Sequence, residues 1–301
     1  LWNSHKEELH TQLFNNTLAV LEGKRARKDP NTLKDAYKNM KVDGVSRQEI
    51  LEHLEQVPVR YFSHSGKEEV ALHVDMIHRF LQNTSEKPVP VINWRDDLRR
   101  SLTIVDIVTR DRNSLFEKLT GAFSIAGLNI LGARAVTRKD GLAIDVFYVE
   151  VENSGLVEDK KTKDLCEKNI KSFLQKQSSE DNVFTELRKK SKHNRIFSNH
   201  EKLGERIPSQ VDVYRDINLG RTIVEVKAPD QVGLLHLLAN TISKCGFNIE
   251  FARIATEQGI ATDVFNITLK SNDGKIEPGK FLKLREEISS ALHQEKFYHE
   301  V

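Results

Sequence analysis

An α+β protein is what this sequence predicts: two copies of one βαββαβ unit, preceded by a helical segment. Three observations lead there. A segment starting at Thr103 recurs at Thr222, 119 residues later. Within each copy, β-branched runs alternate with runs whose apolar residues return every three or four positions. The chain has 301 residues, 38% hydrophobic and 30% charged, which is ordinary for a soluble globular protein of two or three domains.

The first copy reads TIVDIVTRDRNSLFEKLTGAFSIAGLNILGARAVTRKDGLAIDVFYVEV, and the second reads TIVEVKAPDQVGLLHLLANTISKCGFNIEFARIATEQGIATDVFNITL. Asp111 matches Asp230, Leu115 matches Leu234, and Gly127-Leu128-Asn129-Ile130 matches Gly246-Phe247-Asn248-Ile249. Ala133-Arg134 matches Ala252-Arg253. After a one-residue deletion, Asp145-Val146-Phe147 matches Asp263-Val264-Phe265.

Taken in order, Thr103 to Thr109 suits a strand. Leu115, Leu119, Ala122, Phe123 and Ala126 line a helix, and Gly127 closes it as a residue able to take positive φ. Two strands follow, from Asn129 and from Leu142, with the hairpin signal Asp140-Gly141 between them. A second helix is expected from about Asp159 to Gln175, and Pro208 to Tyr214 is expected to supply the fourth strand. The second copy repeats the order. Its strands start near Arg221, Asn248 and Ala261, its helices near Val232 and Gly279, and a last short strand lies near Phe297 to Val301. The expected domains are a helical segment over 1–90, a first unit over 101–214 with a linker insertion at 177–207, and a second unit over 220–301.

Composition narrows the function classes. No stretch approaches the ~20 apolar residues of a membrane helix, and the first residues carry no signal-peptide pattern. Two cysteines, Cys166 and Cys245, cannot build a disulfide framework or a four-thiolate zinc site, so a reducing cytoplasm fits best. A net charge of +2 argues against dedicated nucleic-acid binding. The chain opens on Leu1 rather than Met and is expected to start inside a longer protein.

The turn from first strand to first helix is where a ligand is expected. In the second copy it holds Asp230, Gln231, Val232, Gly233 and Leu234. The helix's first amides are unpaired and lie at the positive end of its dipole, and Gly233 puts no side chain over them, so a carboxylate can bind there. In the first copy the turn holds Asp111, Arg112, Asn113, Ser114 and Leu115. Ser114 and Glu117 have the spacing of a capping box, which would satisfy those amides internally. The second turn is therefore the better candidate. Asn129 with Ile130, and Asn248 with Ile249, open the second strands. There an asparagine can hydrogen-bond a ligand's amino group or merely cap a turn. Arg134 and Arg253 are expected to pair with a carboxylate such as Asp145 or Asp263. Read as structure alone, both turns are simply well-made strand–helix connections.

These two segments resemble ACT domains, a ferredoxin-like fold, through Asp230-Gln231-Val232-Gly233-Leu234-Leu235 followed by Gly246-Phe247-Asn248-Ile249. With the duplication, the whole chain resembles the C-terminal part of bacterial bifunctional uridylyltransferase/uridylyl-removing enzymes, from Leu1-Trp2-Asn3-Ser4-His5-Lys6-Glu7-Glu8-Leu9 through Arg60-Tyr61-Phe62-Ser63-His64-Ser65 and Glu68-Glu69-Val70-Ala71-Leu72-His73 to both copies. The resemblance implies UMP transfer to, and removal from, the PII signal protein. It implies glutamine or a similar amino acid as effector, upstream nucleotidyltransferase and HD domains as partners, and Mg for those catalytic domains. Neither the Gly-Ser and paired-aspartate motif nor the HD pair occurs here, so this chain is expected to hold no catalytic residue, metal or cofactor. Ser114 departs from the glycine of the pattern, which sets the two copies apart. The alternative is a ligand-free module that packs on neighbouring domains or self-associates into a homo-oligomer.

Residues 1–90 read as helices marked by Leu9, Leu13, Leu18 and Leu21, by Ile50, Leu51 and Leu54, and by Val70, Ala71, Val74, Ile77 and Leu81, with Pro88 and Pro90 as linker. This bundle is expected to pack on an HD domain and to expose apolar surface when isolated. His73, Asp75 and His78 invite a metal reading, but no further ligands are arranged nearby, so a solvated or capping role is expected. The basic run Arg188, Lys189, Lys190, Lys192, His193 and Arg195 reads as solvated surface.

Overall fold

A computed structural model describes residues 30–63, 65–83, 89–112, 114–151, 155–175, 208–216, 221–230, 233–257, 260–270 and 278–296. The expected closing strand at 297–301, the basic run and the linker insertion at 177–207 lie outside these residues. The chain divides into two compact units, residues 1–111 with 136–145, and residues 112–135 with 146–301.

The first unit begins with helices α1 (Pro30–Tyr37), α2 (Arg47–Gln56) and α3 (Lys67–Gln82), with a 3₁₀ turn at Val59–Ser63 between the last two. Ser46 starts α2 with extended backbone. Its hydroxyl accepts from Glu49 N–H, and the Glu49 carboxylate accepts from Ser46 N–H, a complete capping box. Strands β1 (Val91–Asp97) and β2 (Leu102–Arg110) pair antiparallel, from Asp97 opposite Leu102 to Val91 opposite Val108. The unit is completed by residues 136–145, the end of β3 (Leu128–Thr137), the turn, and the start of β4 (Leu142–Val151). Ile50, Leu54, Tyr61, Phe62, Val74 and Phe80 form one core with Val108, Leu142 and Ile144. Among the described residues, these helix side chains are thus covered by strand side chains of their own unit, while Leu81, expected on the apolar face, is half exposed. Removing these side chains from water favours that packing.

The second unit holds α4 (Leu115–Ala126), the rest of β3 and β4, α5 (Lys160–Gln175), β5 (Gln210–Asp216), β6 (Arg221–Pro229), α6 (Leu234–Lys244), β7 (Phe247–Arg253), β8 (Thr256–Glu257), β9 (Ile260–Leu269) and α7 (Pro278–Lys296). Its antiparallel strands run β4-β3-β7-β9-β6-β5, with β8 added on β9. Alternation on β9 buries Ala261, Asp263, Phe265 and Ile267. Phe123 of α4 packs on Phe147 of β4, with ring centroids 4.7 Å apart. Gly127 and Gly246 close α4 and follow α6 at φ 77° and 86°, as their position predicts.

One strand differs from expectation. Pro208 to Tyr214 were expected to supply the fourth strand of the first copy, but the strand there, β5, pairs with β6 of the second, Gln210 opposite Lys227 and Asp216 opposite Arg221. The corresponding partner in the first copy is β1, whose register with β2 is the same after a shift of 119 residues. Each edge strand therefore precedes its module rather than following it. A two-sided hydrogen-bonded edge accepts a strand from either chain direction, and a short antiparallel hairpin closes less chain than the long connection from α5.

Candidate functional site

The duplicated segments meet inside the second unit. β3 pairs with β7 so that Ala133 faces Ala252, its own repeat equivalent. Helices α4 and α6 also pack together, and equivalent residues meet there too. His236 Nδ1 donates to the Glu117 carbonyl oxygen at 2.9 Å, across the 119-residue repeat interval. Its Nε2 lies 4.0 Å from Glu117 Oε1. Both residues are buried.

Helix α4 begins at Ser114, which sits in the left-handed region at φ 58°. The expected capping box does not form. A capping serine needs extended backbone, as Ser46 has, and the left-handed geometry turns the hydroxyl elsewhere. Ser114 Oγ instead faces Ser243 Oγ at 3.4 Å, near the end of α6. Lys270, just past β9, donates from Nζ to the Ser243 carbonyl and hydroxyl, each at 2.8 Å. Burial pulls the Lys270 pKa down, and the charge of Glu117 pulls it back up. Asn240 is buried nearby on α6, and its side-chain oxygen has no hydrogen-bond partner. Arg112 donates to the Leu174 carbonyl near the end of α5.

A helix N-terminus and a lysine supply donors, and a buried glutamate and a carboxamide oxygen supply acceptors, a combination that suits a zwitterion. The sequence reading gave Glu117 only a capping role and missed His236, Asn240, Ser243 and Lys270. The available signal was polar residues at helical spacing inside otherwise apolar helix faces: Glu117, Thr120 and Ser124 on α4, and His236, Asn240 and Ser243 on α6.

The second turn is built differently. Gly233 starts α6 at φ 89° with no side-chain cap, and Asp230 before it is exposed. Leu115 and Leu234 are core residues, as are Ile130 and Ile249. Asn113, Gln231 and Val232 lie outside the described residues. Asn248 is exposed, and Asn129 donates to Glu150 Oε1 at 3.0 Å. The Arg134 guanidinium lies 5.8 Å from the centre of the Tyr148 ring, and Arg253 is exposed. In the first unit, Asp111 accepts from the Thr137 hydroxyl.

The histidines of α3 are dispersed. Asp75 pairs with Arg79 and His78 with Glu49. His73 is buried rather than solvated, held by the Tyr61 hydroxyl at 2.7 Å and by Asp106 at 3.2 Å. Glu69, His73 and Asp106 bring ligand atoms within 4.8 Å of one another, but Arg95 already bridges both carboxylates. A guanidinium in that place makes this an ion-pair network rather than a metal site. Burial would raise the Asp106 pKa, but hydrogen bonds from His73 and Arg95 outweigh it and hold it at about 2.

No family model matches the chain. Among curated proteins, it is 23% identical to a bifunctional uridylyltransferase/uridylyl-removing enzyme of Gluconobacter oxydans, across 97% of this chain and 30% of that protein. Enzymes of the same name from Vibrio vulnificus and Azospirillum brasilense are 25% and 26% identical, across 96% and 97% of this chain and 32% and 30% of theirs. The chain spans about a third of the length of these relatives. Among the described residues, no helix is long and apolar enough to cross a membrane. Over nearly its whole length, the chain is thus related to one part of the bifunctional uridylyltransferase/uridylyl-removing enzymes.

Proposed function

We propose that this chain is the amino-acid-sensing region of such an enzyme, with glutamine as the effector, and that it controls UMP transfer to and from the PII protein. The observation that carries this is the cluster at the start of α4, where Ser114, Ser243, Lys270 and Glu117 come together beside a helix N-terminus, while α6 also buries an unmatched Asn240 oxygen. The glutamine carboxylate would take the helix amides with Lys270 as counter-ion. Glu117 would face the ammonium, and Asn240 the carboxamide. At the second turn, Gly233 leaves the α6 amides open to a second carboxylate. Binding would shift the placement of nucleotidyltransferase and HD domains, whose chemistry would use Mg. Typical couplings of this kind are ~1–3 kcal/mol.

Titration calorimetry with glutamine tests this on the wild type, Gly233→Val and Lys270→Ala. The reading predicts binding that Lys270→Ala weakens at the first site and Gly233→Val removes at the second. Absence of heat with the wild type sinks it.

A second reading, a ligand-free packing or self-association module, is favoured by the contact of equivalent residues between the two copies. Light scattering with and without glutamine separates the two. Concentration-dependent self-association together with silent calorimetry supports the second.

A further inference from the structure

One pair of side chains meets across the repeat in the second unit, and its hydrogen bonds fix where a proton must sit. His236 of α6 is 0% exposed and Glu117 of α4 is 3% exposed. The Glu117 carbonyl accepts two hydrogen bonds, one from the Thr120 hydroxyl of its own helix and one from His236 Nδ1, each at 2.9 Å. A carbonyl oxygen has no hydrogen to give, so Nδ1 carries it. In a neutral imidazole with that tautomer, Nε2 is a bare lone pair. Nε2 lies 4.0 Å from Glu117 Oε1. A lone pair facing a carboxylate oxygen repels it, and in a buried place no water screens the contact. A proton on Nε2 turns the same contact into an ion pair.

The remaining charges around α6 leave Glu117 as the group that faces His236. Helix α6 packs on α4, α7 and β7. The charged residues of α7 from Lys280 to His293 are all exposed. Two of them, Lys283 and Glu287, act on Cys245 at the far end of α6, nine residues from His236 and ~14 Å along the helix. β7 buries Phe247, Ile249 and Ala252, and its Glu250 and Arg253 are not buried. The Glu117 charge also reaches Lys118 on α4 and Lys270 beyond β9, but neither lysine is buried, and water screens both.

We infer that His236 carries a proton on Nε2 and that the His236–Glu117 pair is a proton-operated clamp between α4 and α6, the corresponding helices of the two modules. When protonated, the imidazole holds one residue of α4 at two points, its carbonyl and its carboxylate. Loss of the Nε2 proton to solvent leaves the carbonyl bond alone and sets a lone pair against the carboxylate. The clamp therefore tightens as pH falls and loosens as pH rises. Glu117 lies in the first turn of α4, so the proton bears on the start of that helix. This goes beyond amino-acid sensing and stands whether or not glutamine binds.

Imidazole NMR of the whole chain, labelled at its 11 histidines and followed from about pH 5 to about pH 9, tests it. The His236 signal is the one missing from His236→Asn, in which the asparagine amide keeps a donor for the Glu117 carbonyl. In the wild type His236 should titrate above 6.5, the ordinary histidine value. Glu117→Gln should lower that midpoint by about one unit or more. The wild-type melting temperature should also fall relative to Glu117→Gln as pH rises. A raised histidine pKa gives stability that is complete below about pH 6.5 and lost as pH climbs through the folded midpoint. Both chains keep Asp263, so its own titration cancels in the comparison. A wild-type midpoint at or below 6.5 overturns the inference whatever the variant does. So does a raised midpoint that Glu117→Gln leaves unchanged.

Discussion

Replacing Asp263 by asparagine should stabilise the ligand-free protein, and the size of the gain follows from the buried carboxyl. Its ordinary pKa is 3.8, and in the folded chain it stands at about 8. A raised folded pKa leaves stability intact below pH 3.8, where both states are protonated, and removes it progressively up to about pH 8. Across that interval the unfolded carboxyl ionises while the folded one holds its proton. At pH 7 this costs the folded state about 4 kcal/mol. That figure depends on the unfolded pKa alone, provided the folded value stays above 7. Asparagine does not titrate, keeps a donor and an acceptor in the same plane, and escapes the cost. Urea unfolding of wild type and variant at steps from pH 4 to pH 8 measures the difference. The two curves should be close at pH 4 and diverge steadily to neutrality, with the variant more stable. Parallel curves would refute the reasoning, since they would mean that Asp263 ionises normally in the folded chain.

Other perturbations have equally definite outcomes. Arg95→Met removes the cation between Glu69 and Asp106 and should cost about 3 kcal/mol, the low end for a broken buried pair because Arg95 is partly exposed; chemical denaturation reads it. Asp106 has a depressed pKa, so its stabilisation is present above about pH 4 and is lost as pH falls through about 2; acid unfolding should shift to higher pH in Asp106→Asn. Gly233→Val forces a β-branched residue to φ 89° and should cost ~1–2 kcal/mol in addition to blocking the second turn, read as a lower melting temperature. Phe123→Ala opens a hole beside Phe147 and should cost ~3–5 kcal/mol by the same measurement.

Much of the fold is legible in the sequence because the repeat is local information. Gly127 and Gly246 end their helices where their neighbours require positive φ, and the alternation from Ile260 to Leu269 defines a half-buried strand. Strand partnership is not local. Nothing in residues 210–216 states which edge they join, and the chain order βαββαβ is as good a guess as the observed one until the register is seen. The capping-box reading at Ser114 failed for a related reason. Ser46 and Ser114 share the same Ser-x-x-Glu spacing, and only the backbone angle decides which of them caps. The turns were correctly marked as strand–helix connections. The polar cluster beside the first of them was hidden because Glu117 and His236 lie more than a hundred residues apart and meet only through the pairing of the two copies.

That meeting has a consequence for how the two copies could diverge. If two identical modules came together in this way, the residue at position 117 would face itself, and a buried glutamate against a buried glutamate would repel. Joined in one chain, the two positions are free to differ, and here they hold an acid and an imidazole within 4.0 Å. The same freedom lets one turn carry Ser114 and the other Gly233. Covalent linkage turns a surface that must match itself into one with two distinct halves, so each half can be tuned without altering the other.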